Sequence, residues 1–175
     1  MKISVIGYAG SGKSSFATKL GIHYNIETTY LDKLHFEPGW VERDKETRNT
    51  MIKTILKNDK WIIDGSYTSA VIERFEQADQ TFFFNFNRLK CLYGALVRRI
   101  KYRNKPRRSM TEGNKEKFDF KFMMWILFDG RTKKKREFYR NLVKLYSDKV
   151  IVFKNRRQVN CYLKSLGIND FKVKS

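Results

Sequence analysis

Residues Gly7–Ser14 read GYAGSGKS, a complete Gly-x-x-x-x-Gly-Lys-Ser phosphate-binding loop, and the apolar residues Ile3, Val5 and Ile6 stand directly in front of it. A strand, a glycine-rich turn and a helix opening at Lys13 aim backbone N–H groups and the positive end of a helix dipole at one point, where a polyphosphate can sit. Gly7 and Gly12 can take backbone angles closed to other residues, and without side chains they let the phosphates reach the main chain. Lys13 adds a mobile cation for the terminal phosphates and Ser14 a hydroxyl for a magnesium ion. Gly7, Ala9, Gly10, Ser11, Gly12, Lys13, Ser14 and Ser15 are therefore the expected ATP-binding loop.

Working outward, segments with strand and helix character alternate. Thr28–Leu31 reads as a second strand ending at Asp32, and Trp61–Ile63 as a buried strand ending at Asp64-Gly65. Thr81–Phe84 and Val150–Phe153 are the remaining strands. Between them lie helices from Lys13 to about Gly21, from an Asp44 cap through Leu56, and from about Thr68 to Gln77. A further helix follows Asn87, with Leu89, Leu92, Tyr93, Leu96, Val97 and Ile100 at helical spacing. A kinked helical stretch from Asp119 to Ser147 breaks at Gly130, with Phe138, Leu142, Leu145 and Tyr146 as its inner face. A last helix follows Asn155, with Gln158 completing the cap. Five strands separated by helices predict an α/β, three-layer fold of the phosphate-loop NTPase type, with a five-stranded parallel sheet covered on both faces. The whole chain, 1–175, reads as one domain in which 33–57 form a flap and the polar stretch 104–117 a lid.

Composition sets limits. The 175 residues carry 37 Lys and Arg against 18 Asp and Glu, a net charge of +19, and 41% hydrophobic residues. That excess predicts anionic partners. Cys91 and Cys161 lack paired spacing, which excludes a disulfide framework or zinc site and fits a reducing compartment. The opening MKISVIGYAG is too short for a signal peptide and no apolar run can cross a bilayer, so the chain reads as cytoplasmic, with no membrane partner.

Strand-end residues decide the chemistry, because ligands of an open parallel sheet gather there. Asp64 ends an apolar strand, where an acid can organise magnesium water, yet Gly65 follows it in place of the Glu base of motor ATPases. No Asn-Lys-x-Asp guanine reader is present, since Asn114-Lys115 is followed by Glu116-Lys117. A small kinase is left.

The loop GYAGSGKS, LDKLHFEPGW at 31–40, WIIDGSY at 61–67 and the arginine-rich helix before a polar loop together resemble the adenylate-kinase-like family. The nearest branch is that of the small bacterial topology modulation proteins. The resemblance implies a phosphotransferase using ATP with Mg2+ as cofactor. Lys13 would hold the donor's terminal phosphates, with Ser14 and Asp64 serving the metal. Arg98, Arg99 and Arg103 would act on the phosphoryl in flight, and Arg107, Arg108 and Arg136 would contact ATP. Asp32 would orient or deprotonate an acceptor hydroxyl, and His35, Trp40, Arg43, Tyr67 and Arg88 would complete the acceptor site. The Asp-Gly-Phe-Pro-Arg segment of adenylate kinases is replaced here by Asp64-Gly65-Ser66-Tyr67, so the acceptor stays open between a nucleoside, a nucleotide and another small molecule.

Blander roles compete at several positions. Asp32 could cap the following turn, His23 and His35 could simply pack, and Trp40 could hold its loop down. Phe118–Phe128 is expected in the core and Lys133–Arg136 on a solvated helix face. A second function also competes, that of a basic, DNA topology-modulating protein with a regulatory or vestigial nucleotide site, motivated by the charge and by the branch label. It would show salt-dependent, non-specific nucleic-acid binding, but no helix-turn-helix, zinc or RNA-recognition signature accompanies it.

Overall fold

The computed structural model describes residues 1–67, 72–103, 107–114 and 118–168. In chain order it runs β1 (Lys2–Gly7), α1 (Lys13–Tyr24), β2 (Thr28–Tyr30), α2 (Leu31–His35), α3 (Lys45–Leu56), β3 (Trp61–Asp64), α4 (Glu73–Gln77), β4 (Gln80–Phe84), α5 (Arg88–Lys101), α6 (Phe120–Leu127), α7 (Lys133–Leu145), β5 (Val150–Phe153) and α8 (Arg156–Ser165). The strands form one parallel sheet in the order β2-β3-β1-β4-β5. The expected three-layer architecture is present.

The sheet is covered on both faces, which is why β3 and β4 read as continuous apolar runs. Side chains alternate along a strand. Accordingly Ile62 joins the large cluster around Phe16, Leu20, Phe82 and Phe153, while Trp61 and Ile63 join Leu31, Ile52, Leu56 and Ala78 beneath α3. The polar residues expected to start helices do so: Asp44, Asn87 and Asn155 each accept a backbone N–H from the third residue on. Such caps are worth about 1 kcal/mol each.

Three expectations need correction. β2 stops at Tyr30, and Leu31–His35 turn into α2, so Asp32 sits in a first helical turn just beyond the strand. The break at Gly130 is real, since a Cβ there would crowd the Trp125 carbonyl. The inner face of α7, however, is Tyr139 and Leu142 with Phe138, Val143 and Tyr146 packed beside them, while Leu145 is 72% exposed. Of the aromatic run at 118–128, only Ile126 is fully buried; Phe120 and Phe128 are exposed and Trp125 faces a cleft. The apolar stripe of α5 runs along the same cleft, with Leu92 packed on the core. Cys91 and Ala95 are buried, and Leu89, Tyr93 and Val97 wall the cleft. Helical spacing reports that one side of a helix is apolar, and a wide ligand cleft can lie against that side as readily as a core.

The helix expected from Thr68 is described only as α4, because 68–71 lie outside the described residues. The same holds for 104–106 and 115–117 of the lid. No helix among the described residues is long and apolar enough to cross a membrane.

Candidate active site

The loop after β1 is held in shape by its own groups. Tyr8 presents its carbonyl to the Ser11 hydroxyl at 2.7 Å and to Lys13 Nζ at 2.9 Å, so Lys13 curls back over the loop. Gly10 packs against α5 so closely that a Cβ would strike the Cys91 carbonyl, and a Cβ on Gly94 would strike Gly10 in return. Gly12 caps α1 at φ 90° with the Arg156 guanidinium in the space a side chain would need. Gly7 is clamped from β3's far end: Ser66 Oγ accepts the Gly7 N–H at 2.8 Å and donates to the Gly7 carbonyl at 2.6 Å.

This loop floors a cleft of about 1410 Å3. Lys13, Ser14 and Ser15 line it together with Asp32, Asp64, Tyr67, Arg98, Arg107 and Arg108. Gly7, Ala9, Gly10 and Gly12 line it as well, whereas Ser11 is buried inside the loop. Burial pushes the Asp64 carboxyl up to about 6, although the Lys13 charge and the Ser14 hydroxyl oppose that shift. Asp64 Oδ1 is buried without a hydrogen-bond partner. Burial also lowers the Lys13 ammonium, with Asp64 and Asp32 pulling it back. An orphaned carboxylate oxygen beside a serine hydroxyl suits a hard, oxygen-seeking cation that keeps most of its water, as Mg2+ does. Among the described residues no group of three or more His, Cys, Asp or Glu could hold a metal by itself. The fit is therefore to Mg2+ brought in on phosphates.

Asp32 is already engaged at both oxygens: Tyr67 donates to Oδ1 at 3.0 Å and Arg107 Nη2 lies 3.8 Å from Oδ2. Burial and the Asp32 carboxylate raise the Tyr67 phenol well above its ordinary value, so it stays a donor. Behind Tyr67 stands His35, ring to ring at 4.5 Å. Arg48 is hydrogen-bonded to His35 Nδ1 and lies over the Tyr67 ring. Burial first, and the Arg48 charge second, hold the imidazole below its usual pKa. An arginine can only donate, so Nδ1 of His35 is the acceptor of this bond, while Glu42 lies 3.8 Å from Nε2. His35 props Tyr67 and does not line the cleft.

The flap is internally bonded. Arg43 reaches Glu37 and the Leu34 carbonyl, and Trp40 rests on Phe36 with ring centres 5.2 Å apart. Residues 107–114 dock on it: Asn114 accepts from Trp40 N–H and donates to the Glu37 carbonyl, both at 2.9 Å, and Thr111 donates to the Phe36 carbonyl at 2.6 Å. Trp40 and Arg43 thus hold the flap and its junction with 107–114, outside the cleft lining.

Of the remaining expected residues, Arg98 lines the cleft with its guanidinium 5.9 Å from the Phe122 ring. Arg99 and Arg103 do not line it. Arg88 and Arg136 lie in a separate, smaller pocket with Tyr8 and Arg131. The cation that α7 turns into the main cleft is Lys135, lowered to about 8 by burial and then by Lys13 and Arg131. Arg156 and Arg157 line it too, and Arg156 donates to the Ser11 carbonyl at 2.9 Å. Lys135 was hidden in the run RTKKKR, where only the helix phase fixed by the Thr132 cap separates it from its neighbours. Ser66 stands in the quoted WIIDGSY stretch, but nothing in its spacing points to Gly7.

Comparison of the sequence with protein-family models and with curated proteins finds no match. Among solved structures the fold is similar to a shikimate kinase from Bacteroides thetaiotaomicron, with a TM-score of 0.51, 16% identity and 95% of each chain covered. The likeness shows that the two chains share an α/β fold, here built on the five-stranded parallel sheet behind the phosphate-binding loop.

Proposed function

We propose that this protein is a phosphotransferase moving the γ-phosphoryl group of ATP-Mg to a hydroxyl of a small acceptor, a nucleoside or nucleotide in the first instance. The observation that carries the proposal is the sharing of one cleft by Lys13, Asp64 and Asp32 with Arg98, Arg107 and Arg108. A fold shared with a kinase adds support.

In this reading Lys13 leaves the Tyr8 carbonyl for the terminal phosphates, and the loop N–H groups hold the rest of the polyphosphate. Ser14 and Asp64 would hold the Mg2+ ion, which would supply charge neutralisation on the phosphates. The acceptor hydroxyl takes the place of Arg107 or Tyr67 on Asp32. Its oxygen bonds to the γ-phosphorus as the bond to the ADP oxygen breaks, and its proton passes to Asp32. Arg107, released from Asp32, joins Arg98, Arg108 and Lys135 around the transferring group, where cations stabilise the charge most.

The test is an acceptor screen with labelled ATP over nucleosides, nucleoside monophosphates, polyols and hydroxy acids, beside a Lys13→Ala control. Transfer to one class, lost in the control, is the expected result. Tight ATP binding without transfer to any acceptor overturns the reading.

A further inference from the structure

Tyr8 stands inside the phosphate-binding loop, yet only its carbonyl serves that loop. Its ring points away from the donor cleft into the smaller pocket of about 470 Å3, lined by Tyr8, Asn85, Asn87, Arg88, Arg131 and Arg136 together with Leu89. That volume falls in the range of about 300–1,000 Å3 common for small-molecule sites.

The charge in this pocket is all of one sign. Its lining contains three arginines and no acid. None of the three makes an ion pair among the described residues. Arg131 is 9% exposed, and its guanidinium lies 3.6 Å from the centre of the Tyr8 ring. Nη2 of Arg131 donates to the Phe86 carbonyl at 2.8 Å and to Cys91 Sγ at 3.1 Å, while Nε is buried without a partner. Arg88 comes from the first turn of α5 and Arg136 from α7, so two elements converge on the buried one. Arg88, Arg131 and Arg136 line the same pocket as the Tyr8 side chain. A buried guanidinium with no carboxylate is costly unless an anion compensates it. Arginine forks and amide N–H groups are the donors that phosphate oxygens accept best.

We propose that this pocket is a second anion site, distinct from the donor cleft, which binds one phosphate group through Arg131, Arg88 and Arg136. Tyr8 is the wall shared with the donor loop. Its carbonyl receives Lys13 on one side while its ring faces the second site on the other. The phosphate is either free orthophosphate or the monoester of a small metabolite.

Equilibrium dialysis tests this with orthophosphate and with glycerol phosphate, the donor loop being saturated with a non-hydrolysable ATP analogue and Mg2+. Lys13→Ala without nucleotide provides a parallel arm that does not depend on the donor site. Stoichiometric binding is expected in both arms, weakened about tenfold or more in the double variant Arg88→Ala/Arg136→Ala. Both of those side chains are exposed, and an unchanged melting temperature verifies that the variant folds. Equal affinity for the two compounds identifies free phosphate as the ligand, and preference for glycerol phosphate identifies a monoester. Absence of binding in both arms, binding insensitive to the double variant, or binding of a DNA oligonucleotide with neither small phosphate retained would each overturn the proposal.

Discussion

Ser66 Oγ closes a two-way hydrogen bond on Gly7, accepting its N–H at 2.8 Å and donating to its carbonyl at 2.6 Å across 59 residues of chain. The end of β3 thereby fixes the first residue of the phosphate loop, and with it the point at which the loop leaves the sheet. Ser66→Ala strips a part-buried peptide group of both partners. A loss of about 1–3 kcal/mol in unfolding free energy is expected, with weaker binding of an ATP analogue. Denaturant melts and calorimetric titration measure the two. Unchanged values in both would refute the clamp.

Asp64 gives the protein a pH signature. Burial pushes its carboxyl up to about 6 in the folded chain, against 3.8 for an unperturbed side chain. Between those values the unfolded chain has lost the proton and the folded chain keeps it. The protonated group's stabilisation is complete below the lower value and gone above the upper one. Stability therefore falls from about pH 4 to about pH 6 through this residue, and Asp64→Asn flattens that segment of the curve. Melts across the range, with the variant as reference, decide it. ATP-Mg binding should rise over the same interval, since the cation favours the carboxylate.

Lys135 is a cation held at a discount by burial. Because it titrates near 8, the free protein loses this charge as pH passes from 7 to 9. Affinity for a triphosphate should fall over that interval in the wild type and fall less in Lys135→Met. At pH 7 the variant should bind about tenfold more weakly, the worth of one charge-assisted contact. A variant indistinguishable from wild type at both pH values would remove Lys135 from the donor site.

Asp32 and Asn114 separate acceptor chemistry from donor binding. Asp32→Asn keeps the shape and the contact with Tyr67 but cannot take a proton, so transfer should drop by about two orders of magnitude or more while analogue binding stays. Asn114→Ala removes the two bonds that its side chain makes to the flap and leaves the Thr111 bond to the Phe36 carbonyl. A higher KM for the acceptor is expected, with kcat changed less. Steady-state kinetics on the acceptor found by screening reads both, and a variant Asn114→Ala with wild-type KM would show that the junction does not shape the acceptor site.

Much of this protein is written locally. GYAGSGKS announces its own geometry, because glycines and a terminal Lys-Ser at that spacing after a strand have one efficient fold. The caps at Asp44, Asn87 and Asn155 and the doubly apolar β3 and β4 are equally local, as each depends on residues within one turn or one strand. Strand-end reasoning also picked out Asp32 and Asp64, since a parallel sheet brings its carboxyl ends to one edge.

What tertiary structure decided is which side of an element meets what. Arg88 and Arg136 are arginines in the right neighbourhood by sequence, yet helix phase turns them into the pocket behind Tyr8, while Lys135 faces the cleft. His35, expected in the acceptor site, instead props Tyr67, with Arg48 on its Nδ1. Leu89, Tyr93 and Val97 of the α5 stripe wall the cleft. Periodicity fixes where side chains lie relative to their own helix axis, and only the packing of distant segments fixes whether that direction ends in core, ligand or water. The clamp of Ser66 on Gly7 and the engagement of Asp32 by Arg107 belong to the same class, since they join residues with no local signal of each other.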